Sequence, residues 1–169
     1  MTIGAENMAG GVSVATTARL HMGFFDLNGG LGRRFGSIGV SLECPATEIY
    51  AYRAPTFRAE GPGAKRALAI AQKMAQALNL QHGMHMQLSH AIPEHAGLGS
   101  GTQMSLAIGS LMNRLYQLKL EIKDIALLTS RGARSGIGVG TFESGGVVVD
   151  GGRGADTEVP PTIARMDFP

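Results

Sequence analysis

Two periodicities divide this chain. Val12, Val14, Thr16, Ala18 and Leu20 alternate with Ser13, Ala15, Thr17, Arg19 and His21, and Met84, Met86, Leu88 and His90 alternate with His85, Gln87, Ser89 and Ala91. A period of two is that of a half-buried strand, and it leaves Arg19 and His21 on the more polar side of the first. Residues 38–43 and 48–53 read as two further strands broken at Cys44-Pro45, which predicts a hairpin or meander. The period then lengthens. Leu68, Ala71, Ala75 and Leu78, flanked by Ile70, Met74 and Ala77, predict a helix over 63–79 that ends at Asn79. Met104, Ile108, Leu111, Leu115 and Leu118 recur at spacings of four and three and predict a second, and 123–131 a shorter third with Ile125, Leu127 and Leu128 facing inward. From Gly136 the run GIGVGTF, then ESGG, then VVVD predicts two close-packed strands joined by a tight turn. Strands grouped early, helices grouped late and a last strand pair returning to the sheet give an α+β architecture, with helices on one face of a mainly antiparallel sheet. Residues 1–11 read as a mobile leader, 12–152 as the ordered domain, and 153–169 as an unpartnered tail leading into a further, C-terminal domain.

Between the Met84 strand and the Met104 helix stands PEHAGLGSG, residues 93–101. Glycines at 97, 99 and 101 allow positive φ and close approach of backbone to a ligand, and a helix start offers free N–H groups and the positive end of a dipole. Anions settle at such places. No Lys-Ser or Lys-Thr pair follows the glycines, and the order G-x-G-x-x-G is absent, so neither the Walker loop nor the dinucleotide fingerprint applies.

Composition narrows the choices. The chain has 169 residues, 44% hydrophobic and 17% charged, with a net charge of +2. That is the balance of an ordinary folded domain. Basic residues are scattered and aromatics make up only 5%, which gives no nucleic-acid surface. Cys44 is alone, so the chain builds neither a disulfide framework nor a cysteine zinc site. No apolar run approaches the about 18 residues of a membrane span, and a cytoplasmic protein is expected. His82 and His85 fall at a helix-to-strand junction with too few companions for a metal centre. The nine methionines, Met74, Met104 and Met112 among them, sit mostly at core spacings.

The loop PxxxGLGS between strand and helix resembles the second motif of the GHMP small-molecule kinase superfamily. Three further segments, ARLHMGFFDLNG (18–29), RFGSIG (34–39) and GIGVGTFESGGVVVDGG (136–152), are similar in the same order to the β-ribofuranosylaminobenzene 5′-phosphate synthase family, a GHMP-related group acting early in tetrahydromethanopterin biosynthesis. The resemblance covers about residues 12–152. Members are about twice this long, so the chain corresponds to their N-terminal half. It implies the GHMP N-terminal fold, which is like domain 2 of a ribosomal protein and has a left-handed βαβ crossover that handedness rules would not predict. It also implies a transferase that joins phosphoribosyl pyrophosphate to a 4-substituted benzoate (4-aminobenzoate or 4-hydroxybenzoate) with loss of carbon dioxide and pyrophosphate. Magnesium is then the expected ion, no organic cofactor is needed, and a homodimer is expected. Kinases of the superfamily usually place a second serine after GLGS, where this chain has Gly101 and then Thr102.

On that reading the N–H groups of Gly97, Leu98, Gly99, Ser100 and Gly101, with the hydroxyls of Ser100 and Thr102, hold phosphate. Arg19 and His21 face the same cleft; His21 reads equally as a hydrogen-bonded strand histidine. Arg33 and Arg34, or Arg131 and Arg134, pair with a phosphate or with the benzoate carboxylate. Asp26 is either the carboxylate beside the sugar, with magnesium as its other candidate partner, or a cap on the Asn28-Gly29 turn. Two other readings stand beside the transferase: a GHMP-type kinase of a small alcohol with Asp26 as base, and a non-catalytic domain that self-associates.

Overall fold

Residues 2–4 and 10–167 are described by the computed structural model. Thr2–Gly4 (β1) pairs antiparallel with residues 13–15 of the long strand Val12–Phe25 (β2), so a strand stands where the sequence predicts part of a leader. Beside β2 runs Gly36–Ala54 (β3), a single strand of 19 residues rather than a hairpin. The break at Pro45 survives as an irregularity within the strand: Thr17 pairs with Ala46 and Arg19 with Ser41, leaving residues 42–45 of β3 opposite Ala18 alone. Such a bulge bends a strand and re-aims its side chains.

Arg58–Glu60 (β4), the helix Ala64–Ala77 (α1) and Gly83–His90 (β5) follow, with β4 and β5 parallel and α1 as their crossover. Ser100–Tyr116 (α2) and Ile122–Leu128 (α3) come next, then Ile137–Ser144 (α4), Val147–Asp150 (β6) and Thr162–Met166 (β7). The sheet order is β1-β2-β3-β5-β4. On the side away from β2, β3 pairs with β6 along its first half and with β5 along its second, and β7 extends the sheet beyond β6.

The core lies between one face of this sheet and the helices. Val12, Val14, Ile49, Ala51, Met84, Met86 and Leu88 point from the sheet into Met74, Met104, Ile108, Leu111 and Met112 of α1 and α2. Helix α2 is buried around most of its girth because the sheet lies beneath it and α1, α3 and α4 flank it. Its one buried amide is satisfied: Gln103 accepts from the Thr16 hydroxyl of β2 and donates to the Gly138 carbonyl of α4, at 3.0 Å. A buried polar side chain needs such partners, and these two tie three elements in one arrangement.

Three further expectations need correction. Residues 137–144 are helical, not strand, because glycines at 138 and 140 bring α4 against its neighbours: a Cβ on Gly138 would lie 2.8 Å from Thr102, and one on Gly140 2.5 Å from the Thr162 hydroxyl. The tail is paired, through β7 and through an Arg34–Arg153 bridge, so it adds a strand to the sheet. In α3, Ile125 and Ala126 are buried while Leu127 is exposed.

Candidate phosphate site

Strand β5 delivers the chain to the glycine loop, and the loop starts α2. Gly97 and Gly99 have φ of 75° and 76°, the left-handed region that glycine enters without strain. Gly99 is the N-cap position and no side chain caps the helix, so its first N–H groups and its positive dipole end stay available to an anion. Arg19 is stitched to this turn: its backbone N–H donates to the Leu98 carbonyl at 3.1 Å and its Nη1 to the Gly97 carbonyl at 3.0 Å. The arginine stem lies across Gly99, where a Cβ would sit 3.0 Å from its Cγ.

The bulge opposite Ala18 decides which way Arg19 points. Up to Ala18 the even-numbered residues of β2 face the helices; beyond it Leu20 and Met22 are exposed, and Arg19 and His21 turn to the helix side. The strand thereby places two polar side chains over the start of α2, on the face that a regular alternation reserves for the core.

Gly101 matters for a second reason. A Cβ there would lie 2.5 Å from Arg66 Nη2 and 3.4 Å from Arg131 Nη1, so two guanidinium groups occupy the space that a side chain at this position would need. Arg66 comes from α1, where it pairs with Glu94 at 3.4 Å. Arg131 follows α3, its N–H bonded to the Ala126 carbonyl at 2.7 Å. Around this point a cavity of about 470 Å³ is lined by Arg19, His21, Phe24 and Thr102 and by residues 130–135, Arg131 and Arg134 included. Arg134 lies over the Phe24 ring, 5.5 Å from its centroid.

Three of these side chains carry an unsatisfied polar atom. Arg19 Nε, His21 Nε2 and Arg131 Nε are buried with no hydrogen-bond partner among the described residues. A buried orphan donor costs about 1–3 kcal/mol, and three of them belong to side chains that line one cavity. Burial lowers the pKa of Arg19 and of Arg131 from the usual guanidinium range, with the charge of Arg66 adding to the effect at Arg131. Behind the wall, Asp150 is fully buried and accepts from Ser135 Oγ at 3.0 Å and from the Gly136 N–H at 2.8 Å, which fixes the 130–135 segment against β6.

His21 Nδ1 accepts from the Gly23 N–H at 3.2 Å, so the neutral ring carries its proton on the unpartnered Nε2. Burial, then Arg19 and more weakly Arg134, hold the imidazole below its ordinary value of 6.5, against a raising influence of Asp150. With the folded value below the unfolded one, the unfolded chain binds more protons between the two, and stability falls as pH drops below about 6.5. A bound anion favours the imidazolium. Sulfate, whose charge is constant from about pH 8 to about pH 5, should therefore bind several-fold more tightly as pH falls below about 6.5, and His21→Gln should flatten that dependence; calorimetric titration at each pH measures both.

Not every predicted residue belongs here. The cavity gathers Arg19, His21, Thr102, Arg131 and Arg134, with Gly97, Leu98, Gly99, Ser100 and Gly101 forming the turn beneath; Ser100 is itself buried, 3.5 Å from Arg66 Nη1. Asp26 lies outside it: its carboxylate accepts from the N–H groups of Gly30 and Leu31 at 2.8 and 3.0 Å, the turn-capping role. Arg33 is spent on the carbonyls of Gly151 and Gly152, at 2.7 and 2.9 Å. Arg34 lines a different cleft. Arg66 and Asp150 were not expected, though glycine in place of serine at 101 marks the room that Arg66 fills. A protein-held magnesium does not fit this donor set: among the described residues no three of His, Cys, Asp and Glu converge, and the lining is cationic.

The model of the GHMP kinases N terminal domain matches residues 64–146, which run from α1 through β5, the glycine loop, α2 and α3 to the end of α4. The fold is that of the GHMP kinase N-terminal domain. A putative sugar kinase from Campylobacter jejuni shares the fold with a TM-score of 0.67 at 12% identity, over 94% of this chain and 57% of that one. In sequence the domain is much nearer to synthases. The beta-ribofuranosylphenol 5'-phosphate synthase of Archaeoglobus fulgidus is 39% identical over 91% of the chain and 53% of its own length, and that of Methanocaldococcus jannaschii 36% identical over 92% and 56%. The chain thus spans about half the length of the curated relatives it matches. No helix among the described residues is long and apolar enough to cross a membrane.

Proposed function

We propose that this GHMP domain is the phosphate-binding part of a pentosyl transferase that condenses phosphoribosyl pyrophosphate with a 4-substituted benzoate, 4-aminobenzoate or 4-hydroxybenzoate, releasing carbon dioxide and pyrophosphate. The observation that carries this reading is the set of three unpartnered buried donors, from Arg19, His21 and Arg131, around the start of α2. The sequence similarity to synthases named for a ribofuranosyl phosphate product supports the substrate class.

In the proposed reaction the bond from the ribose anomeric carbon to pyrophosphate breaks, with its electron pair leaving on oxygen. A pair from the aromatic ring forms the new carbon–carbon bond, and loss of the carboxyl group as carbon dioxide returns a pair to the ring. Placement and charge do most of this work. The α2 N–H groups, Arg19, Arg131 and Arg66 hold the departing diphosphate, and neutral His21 donates from Nε2. Any magnesium enters on the diphosphate oxygens rather than on carboxylates of this chain. In this reading the protein is cytoplasmic and homodimeric, and it uses no organic cofactor.

Gly101 favours this over the kinase reading. Where the kinase loop places a hydroxyl near its metal, this chain has Arg66 and Arg131, which offer charge to a diphosphate directly. The kinase base assigned to Asp26 is engaged in a turn. Calorimetric titration with phosphoribosyl pyrophosphate and with ATP, each with and without magnesium, tests the choice. The ribosyl donor should bind at least tenfold more tightly than ATP; the reverse order would replace the transferase by the kinase.

A further inference from the structure

We propose that the cleft between the 29–35 loop and residues 153–155 is a second ligand site, built for a planar aromatic carboxylate, which on the transferase reading is the acceptor. The cleft, about 410 Å³, is lined by Arg34, Phe35 and Arg153 over Gly29, Gly32 and Gly154. The two arginines are held side by side by a reciprocal backbone pair: Arg34 N–H donates to the Arg153 carbonyl at 2.9 Å and Arg153 N–H to that of Arg34 at 2.6 Å. Neither guanidinium is among the ion pairs of the described residues. Their neighbour Arg33 differs, since its Nε and Nη2 are committed to carbonyls and to the Thr157 hydroxyl. Two arginines on neighbouring backbone positions, without a counter-ion among the described residues, suit one carboxylate, which each can meet with paired N–H groups. Gly29 makes room for this, because a Cβ there would sit 2.9 Å from Arg34 Cγ.

Phe35 supplies the aromatic half of the argument. Its φ of 62° is uncommon for so bulky a residue, and backbone of this kind is often retained where a side chain must be aimed. The ring meets Phe24 edge-on, centroids 5.9 Å apart at 77°. Phe24 lines the phosphate cavity, so the two clefts share a wall of two aromatic rings. The first cleft has a helix N-terminus and three arginines for phosphate; the second has no helix start, an aromatic ring and two guanidinium groups that make no ion pair among the described residues. That division matches a donor bearing phosphates and an acceptor bearing a ring and a carboxylate.

The test titrates 4-hydroxybenzoate, cyclohexanecarboxylate and pyrophosphate into the protein and into Arg34→Gln and Arg153→Gln. Both variants keep the backbone pair, and thermal unfolding confirms that they fold. Affinity for 4-hydroxybenzoate should fall at least tenfold in each, cyclohexanecarboxylate should bind the unaltered protein at least tenfold more weakly, and pyrophosphate should stay within twofold. Parallel loss of pyrophosphate would make the cleft an extension of the phosphate site and overturn the inference. So would 4-hydroxybenzoate affinity that is undetectable with pyrophosphate present, or indifferent to both substitutions. Should 4-hydroxybenzoate bind through Arg34 and Arg153 while neither pyrophosphate nor phosphoribosyl pyrophosphate binds, the second site stands and the transferase reading falls.

Discussion

Replacing Arg19 by Met should cost about a hundredfold or more in affinity for pyrophosphate and almost nothing in stability. The guanidinium is half sheltered, makes one side-chain bond, to the Gly97 carbonyl, and leaves Nε without a partner. Losing that bond costs about 1 kcal/mol, and removing an orphaned donor returns a similar amount. Methionine keeps the apolar stem that lies across Gly99. A bound diphosphate loses a charge-assisted donor pair, worth about 3 kcal/mol, which is roughly a hundredfold in affinity. Arg19→Lys should fall between, since it retains charge without the fork. Calorimetric titration with pyrophosphate, beside thermal unfolding without ligand, separates the two effects. A large drop in melting temperature with affinity unchanged would make Arg19 a structural strap for the glycine loop and nothing more.

That prediction rests on a placement only half legible in the sequence. Alternation from Val12 to His21 locates the strand, and the change of period across the glycine loop locates α2, because both are local patterns. The bulge that turns Arg19 and His21 toward α2 depends on the partner strand, where residues 42–45 face Ala18, and pairing between distant segments leaves no local trace. The same limit explains α4. Gly136, Gly138 and Gly140 alternate with Ile137, Val139 and Thr141 as in a strand, yet contacts with Thr102, Val148 and Thr162 make the segment a helix. Tertiary context overrides a weak local preference there. Two aspartates show the converse. Asp26 stood beside a motif and proved to cap a turn, whereas Asp150, at the end of an apolar strand, organises the wall of the cavity.

Asp150→Asn should be the most destabilising single change near the site, lowering stability by about 3–4 kcal/mol and the melting temperature by about 10 °C. The carboxylate is fully buried and accepts five donors: the N–H groups of Ser37, Gly136 and Gly152 at 3.2, 2.8 and 2.9 Å, and the hydroxyls of Ser37 and Ser135. Asparagine has one acceptor oxygen, and its amide nitrogen would face either the N–H groups of Ser37 and Gly152 or that of Gly136, all of them donors. At least one buried N–H is then orphaned, at about 1–3 kcal/mol, and the bonds that remain lose the added strength of a charged acceptor, roughly 1 kcal/mol or more between them. The consequence reaches ligand binding by two routes. Ser135 and Gly136 anchor the segment that carries Arg131 and Arg134, so the cavity wall loosens. The negative charge that raises the His21 pKa is also lost, which leaves the imidazole harder to protonate beside an anion. Pyrophosphate affinity should drop about tenfold, and the pH dependence of sulfate binding should move to lower pH. Ser135→Ala, which removes a single donor, should cost about 1 kcal/mol and leave that pH dependence in place. Thermal unfolding of both variants, with sulfate titrations across pH, separates the carboxylate's structural part from its electrostatic one; equal effects of the two substitutions would mean that Asp150 acts only through Ser135.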